Sequence, residues 1–402
     1  MIEHLHQCVQ QAQHQMVEDR RWLHCHAERS FHEYETSNWL YEKLVGIDGL
    51  EVTRPTKTSV LAVLKTGRPG PVVAVRADID GLPITEKSDL PFASRNPGVM
   101  HACGHDGHAA SLLCAVRILA AHRDQLQGEI RFVFQHAEEE PPGGAVEVIA
   151  AGVLDGVDEV YGYHFTSTLE TGQFGVRSGV LTSATDEFSI VVEGKGGHSS
   201  SPQECVDPVV IGAQIILALQ SIVSRRIAPK EIAVLSICHV EAGSAYNIIP
   251  NTMVLQGSVR TFSESVRESV KGWIEETACG IAAAQGASAQ FDYSYGYDSV
   301  VNDPALTKRG ETVIRDLFGE AAIVPLDFVM PGDDFCYYHK KCPGFFVEIG
   351  AASREKGITA PHHNPYYQLD EDALPLAVEY IVSLLAQRLQ SPAAETAVLK
   401  DN

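Results

Sequence analysis

The segment PVVAVRAD, residues 71–78, is an apolar run of strand length that ends in an aspartate. Two later segments, EIRFVFQ at residues 129–135 and VYGYHF at residues 160–165, have the same strand character, and patterns typical of helices separate them. Strands that alternate with helices predict a mixed or largely parallel sheet flanked by helices. Ligands of such sheets bind at the carboxyl ends of the strands. The sequence therefore predicts an α/β fold with its functional site at that edge.

The order of elements changes near Thr182. From there to residue 298 the pattern reads strand, helix, strand, strand, helix, strand, which is typical of a small ferredoxin-like α+β domain. Beyond Ser299 helices and strands resume as before. We therefore predict a discontinuous first domain at residues 1–181 and 299–402, with an inserted domain at residues 182–298.

Composition disfavours several partners and compartments. The 402 residues include 31 Lys and Arg against 52 Asp and Glu, a formal net charge of −21, and no basic cluster that would bind nucleic acid or an anionic membrane. The nine cysteines are scattered and form no CxxC pair, and the first residues lack the apolar stretch of a secretory signal. Both features favour the reducing cytoplasm. The apolar stretch at residues 209–223 is too short and too polar to span a bilayer, so we expect a helix packed on a core.

The segment HACGHDGH, residues 101–108, combines three histidines with a cysteine and an aspartate. In an extended or looped segment, Cys103 and His105 can leave the chain on the same side and bind one ion. We interpret Asp106 as a carboxylate that orients a ligand imidazole. His108 lies where the chain should turn helical, and we interpret it as a capping or packing residue. The segment alone is compatible with a structural or a catalytic metal site.

Three adjacent carboxylates follow the strand at residues 129–135. Adjacent residues of an extended chain point to opposite sides, so one of Glu138 and Glu139 can bind a metal while the other faces the reacting water. Hydrolysis by a metal-activated water requires both roles, because a free carboxylate must carry the proton from the water to the leaving amine. A solvated acidic run is the alternative interpretation.

More imidazoles occur in distant segments. His164 lies at the end of VYGYHF, and His362 and His363 lie in APHHNPYY. With Cys103 and Glu139 they make a ligand set large enough for two ions. The mixed sulfur, nitrogen and oxygen donors suit zinc, manganese, cobalt or nickel and do not suit magnesium or calcium.

Eight motifs follow one another along nearly the whole chain: RRWLHCHAERSFHEYET, VAVRADIDGLPITE, MHACGHDGHAA, FVFQHAEEEPPGGA, GGHSSSP, AYNIIPNT with GSVRTF, MPGDDF, and HHNPYYQLDEDAL. In this order they resemble the amidohydrolase branch of the dinuclear metal-dependent aminoacylase and carboxypeptidase superfamily, which includes hippurate hydrolases and auxin-conjugate hydrolases. The resemblance implies a metal-binding catalytic domain, an inserted dimerisation (lid) domain, two divalent metal ions per subunit, and a homodimer or dimer-based oligomer.

The resemblance also implies roles for single residues. The expected metal ligands are Cys103, His105, Glu139, His164 and His363. Glu138 is expected to be the general acid–base. Asp78 and Asp106 are expected to orient the metal ligands without binding the metal themselves. In the inserted domain His198 is expected at the substrate carbonyl, often from the neighbouring subunit. Asn247 is expected to hold that carbonyl and Arg260 the substrate carboxylate. An arginine paired with surface acids is the alternative for Arg260.

These expectations predict a metal-dependent hydrolase that cleaves the amide bond of small N-acyl amino acids. A carboxypeptidase or dipeptidase acting on short peptides is the alternative with the same chemistry. A non-catalytic metal-binding regulatory protein would lack a general base, and Glu138 argues against it. A serine hydrolase is disfavoured because the sequence has no GxSxG motif, and a nucleotide-dependent enzyme because it has neither GxGxxG nor a P-loop.

Overall fold

The computed structural model describes residues 2–390, which divide into two compact units. The first unit comprises the chain up to Leu181, Val301–Asp327 and the chain from Asp334, and the second comprises Thr182–Val300 and Phe328–Asp333. Residues 299–300 and 328–333, which the sequence analysis assigned to the first domain, therefore group with the second unit.

The helices of the described residues are α1 (Ile2–Cys25), α2 (Tyr34–Val45), α3 (His105–Ala121), α4 (Gly144–Ala150), α5 (Pro208–Ser221), α6 (Glu264–Ala284), α7 (Pro304–Phe318), α8 (Cys336–His339) and α9 (Ala373–Gln390). The strands are β1 (Leu50–Thr53), β2 (Val60–Lys65), β3 (Val72–Asp78), β4 (Glu129–Gln135), β5 (Glu159–Glu170), β6 (Phe174–Val176), β7 (Gly179–Val180), β8 (Ala184–Glu193), β9 (Gly197–His198), β10 (Ala233–Ala242), β11 (Ile248–Ile249), β12 (Thr252–Thr261), β13 (Ser288–Tyr295), β14 (Val301–Asn302), β15 (Ile323–Pro325) and β16 (Gly344–Ala352).

An eight-stranded mixed sheet forms the centre of the first unit, in the order β1-β2-β4-β3-β5-β16-β6-β15. The middle strands β4, β3, β5 and β16 pair in parallel, while β1, β2 and β6 add antiparallel pairs. Helices α1, α3 and α9 pack on one another over the same apolar core. Strand β3 is buried on both faces, which is why its sequence is a continuous apolar run. The predicted α/β class is confirmed.

The parallel pairing brings three predicted functional segments to one edge of this sheet. Asp78 at the end of β3 pairs with Gln135 at the end of β4, directly before the acidic run. His164 lies inside β5 rather than at its end, but it is level with Asp78 because Gly162 pairs with Arg76. The register therefore places the ends of β3 and β4 beside the middle of β5.

The second unit has a four-stranded antiparallel sheet in the order β10-β12-β8-β13. Helices α5 and α6 cover one face of it and share its core. Strand β8 alternates between buried positions and partly or fully exposed ones, as expected of a sheet with one covered face. The order of elements and strands is that of the predicted ferredoxin-like domain, and its role as a dimerisation or lid domain stays a prediction.

Helix α5 explains the apolar stretch noted in the sequence. Within residues 2–390, Pro208–Arg226 is the one helix long and apolar enough for a membrane span by length and composition. One face of this helix, including Ile211, Ile215 and Leu219, is buried in the core of the second unit. Its opposite face carries the exposed side chain of Leu217.

The amino-terminal region contains two separate helices. It forms α1 and α2, separated by a turn in which Phe31 has a positive φ of 64°. The Glu28 carboxylate accepts the backbone N–H groups of Glu35 and Thr36, and so caps the first turn of α2. A side chain that satisfies these donors stabilises a helix start that periodicity alone does not mark.

Candidate metal centre

The start of α3 sets the directions of Cys103 and His105. Between them Gly104 has a φ of 91°, a left-handed conformation that glycine adopts without steric cost. A Cβ atom on Gly104 would also lie 3.0 Å from the Tyr367 hydroxyl. The helix begins at His105, three residues earlier than the sequence predicted. A sharp turn, and not an extended segment, therefore aims these two donors.

The acidic run also leaves its strand through a turn. Ala137 has a φ of 51°, and its N–H donates to the buried Glu33 carboxylate over 2.9 Å. Beyond this turn Glu138 Oε2 and Glu139 Oε1 lie 3.9 and 3.8 Å from the Nε2 atom of His105. The expectation that the two carboxylates point to opposite sides was wrong, because β4 ends at Gln135 and the chain bends at Glu138 and Glu139, where the alternation of an extended strand does not apply.

The remaining donors complete one cluster. Cys103 Sγ lies 3.4 Å from His164 Nε2 and 3.7 Å from His362 Nδ1, and His363 Nε2 lies 3.3 Å from Glu139 Oε1. Ligands of a tetrahedral zinc ion are about 3.3–3.8 Å apart, given metal–ligand bonds of about 2.0–2.3 Å. Cys103 and Glu139 each belong to more than one group of three donors. The five expected ligands thus meet in overlapping groups, an arrangement suited to neighbouring ions.

The electrostatics of the cluster fit a cation. His105 Nε2 is buried and has no hydrogen-bond partner among residues 2–390. Burial opposes a charge on His105, but the nearby Asp78 and Asp80 carboxylates raise its pKa to about 10. Burial and the charge of Glu139 raise the pKa of the Cys103 thiol well above 9. A divalent cation would displace the proton on His105 Nε2, bind that nitrogen and stabilise the Cys103 thiolate, so this donor set fits a metal centre.

Asp80 supports two of the expected ligands, although the sequence analysis gave such a role to Asp78. The Asp80 Oδ1 atom accepts from His105 Nδ1 over 3.1 Å, and Oδ2 accepts from the Glu139 N–H over 3.0 Å and the Ser30 hydroxyl over 2.7 Å. Both aspartates belong to the RADID segment, so only the fold distinguishes them. Histidine ligands commonly donate their second N–H to a carboxylate in this way.

Asp78 instead fixes His108, whose Nδ1 atom donates to Asp78 Oδ1 over 2.5 Å. Asp78 also accepts from the buried Arg76 guanidinium, and it lies 3.7 Å from His105 Nδ1. The Nε2 atom of His108 accepts the Phe165 N–H over 2.8 Å. Both nitrogens of His108 are therefore engaged, which agrees with the packing interpretation of this residue.

Asp106 does not orient a ligand imidazole, so that expectation was wrong. Its Oδ2 atom accepts from Arg20 Nε over 2.6 Å and from His24 Nδ1 over 2.9 Å, both on α1. Consecutive residues of a helix face different directions, and Asp106 faces α1 while His105 faces the cluster. Burial opposes its charge, but Arg20 and His24 hold the pKa of Asp106 well below its usual value.

His362 adds a contact that the ligand assignment did not include. Burial lowers the pKa of His164 well below 6.5 and that of His362 to about 3, so both imidazoles are neutral. The Nε2 atom of His362 accepts the Ser167 N–H over 3.1 Å, which leaves the Nδ1 proton directed at Cys103. This geometry is consistent with His363, rather than His362, as a ligand.

In the second unit the structure brings two predicted residues together. His198 in β9 is exposed, and its Nδ1 atom accepts the Ser200 N–H over 3.1 Å. In its neutral form His198 therefore presents an Nε2–H donor to solvent. The carbonyl of Asn247 accepts the Ser199 N–H over 3.1 Å, beside the β9–β11 pairing.

Arg260 lies in β12, where its Nη1 atom donates to the Val259 carbonyl over 3.0 Å. It forms no salt bridge with any described acidic residue, so the alternative of a surface ion pair has no support in the fold. Its expected contact with a substrate carboxylate stays a prediction.

Comparisons with known proteins agree with this centre. The family model of Peptidase family M20/M25/M40 matches residues 74–387. An N-acyl-L-amino acid amidohydrolase of Geobacillus stearothermophilus is 48% identical, with 78% of this chain and 86% of the relative covered. An N-acetylcysteine deacetylase of Bacillus subtilis is 42% identical, with 92% and 95% covered.

A solved structure gives the same result for the fold. The YXEP protein of Bacillus subtilis, a dinuclear metal-binding peptidase from the M20 family, has a TM-score of 0.83 at 37% identity, and the match covers 95% of this chain and 100% of that one. The resemblance inferred from the motifs is thereby confirmed. The chain belongs to Peptidase family M20/M25/M40 and is a hydrolytic enzyme of that family.

Proposed function

We propose that this enzyme hydrolyses the amide bond of N-acyl amino acids, with two divalent metal ions per subunit held by Cys103, His105, Glu139, His164 and His363. The observation that carries the proposal is the partly buried cluster in which these donors meet beside a second carboxylate, Glu138. The names of the amidohydrolase and deacetylase relatives support the choice of substrate class.

Different side chains have different roles in the reaction. When bound, the ions lower the pKa of a water to about 7 and polarise the amide carbonyl. Glu138 removes a proton from the attacking water and returns it to the leaving amine. Asp80 holds His105 and the Glu139 backbone in place, so that neither ligand reorients as charge develops. Burial of Glu138 removes competing water and strengthens these interactions.

Three residues of the second unit would bind the substrate. His198, from the same or the neighbouring subunit, donates its Nε2–H to the developing oxyanion, as the Ser200 contact on its Nδ1 atom favours. Asn247 holds the carbonyl, and Arg260 pairs with the free carboxylate of the amino-acid half. Charge pairing at that carboxylate orients the scissile bond.

We further propose a homodimer formed through the second unit. Strand β10 is an edge of its sheet, and α5 carries the exposed side chains of Val210 and Leu217, with relative exposures of 53% and 73%. Unpaired edges and apolar surface side chains favour association. Leu217→Glu should shift the molar mass measured by light scattering toward that of the monomer, whereas an unchanged dimer would exclude this face.

The metal identity and compartment are also proposals. A cysteine ligand beside imidazoles suits zinc, manganese, cobalt or nickel. All nine cysteines lie within the described residues and are free thiols, which agrees with a reducing cytoplasm.

The test is a screen of N-acetyl amino acids, N-benzoyl amino acids and dipeptides with metal-reconstituted enzyme. Turnover of acyl amino acids at higher kcat/KM than dipeptides supports the proposal. Faster cleavage of dipeptides would favour a peptidase, which is how the dinuclear relative is named. Absence of turnover on every compound would contradict the proposed substrate class.

A further inference from the structure

A second group of metal donors lies in the first unit, outside the centre described above. His4 and Cys8 belong to α1, and His122 directly follows α3; one donor atom from each lies within 4.8 Å of the others. Residues four apart share one face of a helix, so His4 and Cys8 point the same way. Packing of α1 on α3 brings His122 to that face.

The orientation of His122 suits a ligand. Its Nδ1–H donates to the Ile118 carbonyl over 2.8 Å, which leaves the lone pair on Nε2. Histidines that bind metals usually have the second nitrogen fixed by a carbonyl or carboxylate in this way. The His122 ring meets the His4 ring edge to face, with centroids 5.1 Å apart.

The surroundings favour a small, surface-accessible site. Cys8 is partly buried and packs against the apolar core, while His4 is exposed. The core contact fixes the position of the sulfur, and the exposed side gives an ion access from solvent. One sulfur and two nitrogen donors suit thiophilic transition metals and not magnesium or calcium.

This group is well separated from the candidate catalytic centre. Helix α3 has 17 residues, so its two ends are roughly 25 Å apart at 1.5 Å per residue. His105 begins the helix and His122 follows its last residue. Metal bound at one end can therefore be tested without disturbing the donors at the other.

We propose that His4, Cys8 and His122 bind one thiophilic divalent ion, with zinc as the expected metal, and that this ion links α1 to the end of α3. A solvent molecule completes a tetrahedral coordination. The Cys8 thiol releases its proton to solvent when the ion binds. The proposal is independent of the substrate assigned to the enzyme.

The first test measures zinc bound per chain by equilibrium dialysis of the metal-stripped, full-length protein. Cys8→Ser and His122→Ala should each bind about one ion fewer than the wild type, since each removes a ligand of a single-ion site. The matched control is His14→Ala, which removes an exposed histidine of the same helix and should bind as the wild type does. Equal zinc content in all four proteins overturns the proposal.

The second test uses Co²⁺ as a spectroscopic probe in a Cys103→Ser background, where the thiolate of the catalytic cluster is absent. The expected result is a thiolate-to-cobalt charge-transfer band in Cys103→Ser that disappears in Cys103→Ser/Cys8→Ser. A spectrum without the band in Cys103→Ser, or a band that survives loss of Cys8, contradicts the site. Cys8→Ser alone should keep the hydrolytic activity of the wild type, so failure of this proposal and failure of the proposed reaction are distinguishable.

Discussion

At the scale of single residues, chemically identical side chains have different expected roles because their partners differ. The carboxylates of Glu138 and Glu139 lie at almost the same distance from His105, and Glu139 also lies 3.3 Å from His363 Nε2 and has its N–H held by Asp80. Asp80 and Asp78 are two residues apart, and each fixes a different histidine. Position relative to the cluster, and not residue type, assigns each role.

Glu138→Gln should reduce kcat by about 10²-fold to 10⁴-fold, because the amide cannot carry the proton from water to the amine. Metal content should stay near that of the wild type, since Glu138 is not an expected ligand. Steady-state kinetics with metal analysis checks both. Glu140→Gln is the matched control, because Glu140 is exposed and should have normal activity. Full activity in Glu138→Gln would remove this residue from the mechanism.

Asp80→Asn should weaken metal binding by about 10-fold to 100-fold. This is the usual effect of losing the carboxylate that accepts a hydrogen bond from a ligand histidine. Competition with a chromophoric chelator gives the affinity. Ser30→Ala removes one hydrogen bond to Asp80 but leaves its charge, so a smaller loss is expected. Unchanged affinity in Asp80→Asn would show that His105 needs no support.

At the scale of elements, α3 connects the core to the cluster. Its first residue, His105, enters the metal centre, and its second, Asp106, bonds to Arg20 and His24 on α1. The left-handed Gly104 permits the turn that separates these directions. A change at this helix start should therefore affect both stability and metal binding.

Gly104→Ala should destabilise the protein by about 1–2 kcal/mol, because a Cβ atom disfavours the left-handed conformation, and it should also weaken metal binding. Gly272→Ala is the matched control, since Gly272 lies in α6 and its Cβ would meet open space. That change should stabilise by about 0.4–1 kcal/mol. The urea concentration at the unfolding midpoint should fall for Gly104→Ala and rise for Gly272→Ala. Equal midpoints in the two variants would contradict the role given to Gly104.

The buried bond between Asp106 and Arg20 should make stability fall in acid. Asp106 has a lower pKa in the folded chain than in the unfolded one, so its contribution is full above the unfolded value of about 3.9 and is lost as pH falls below it. Asp106→Asn should lower stability near pH 7 by up to about 3–5 kcal/mol, because the buried Arg20 loses the closer of its two carboxylate partners and keeps Glu371 at 3.3 Å. Below pH 4 the difference from the wild type should shrink. Denaturant unfolding of the metal-free proteins across pH measures this, and a difference independent of pH would contradict it.

At the scale of the whole molecule, the donors of the metal centre come from segments far apart in sequence that the sheet and its helices bring together. Within residues 2–390, none of the five expected ligands of the centre is among the side chains of the apolar core under α1, α3 and α9. The fold of the first unit should therefore persist without metal, while the activity should not.

Removal of metal with a chelator should abolish hydrolysis but leave the far-UV circular dichroism spectrum unchanged. Zinc, manganese or cobalt should restore activity, and an excess of about 100 times the dissociation constant should stabilise the fold by about 2.7 kcal/mol. Thermal scans and activity assays on the same samples check both effects. Activity that resists full removal of metal would contradict the mechanism.

The sequence by itself determined the α/β class and the order of elements in the inserted unit, because periodicity is a local property. The donors that cluster were named through the resemblance of the motifs to a known family. The sequence did not determine that α1 and α2 are separate helices, since the capping carboxylate of Glu28 acts across a turn. It also misassigned the surroundings of the centre. Whether Asp78 or Asp80 supports His105, and where Asp106 points, depends on strand register and on the turns at Gly104 and Ala137. Only the tertiary structure decided these contacts, because a side chain's direction follows from backbone angles and neighbours that sequence spacing does not encode.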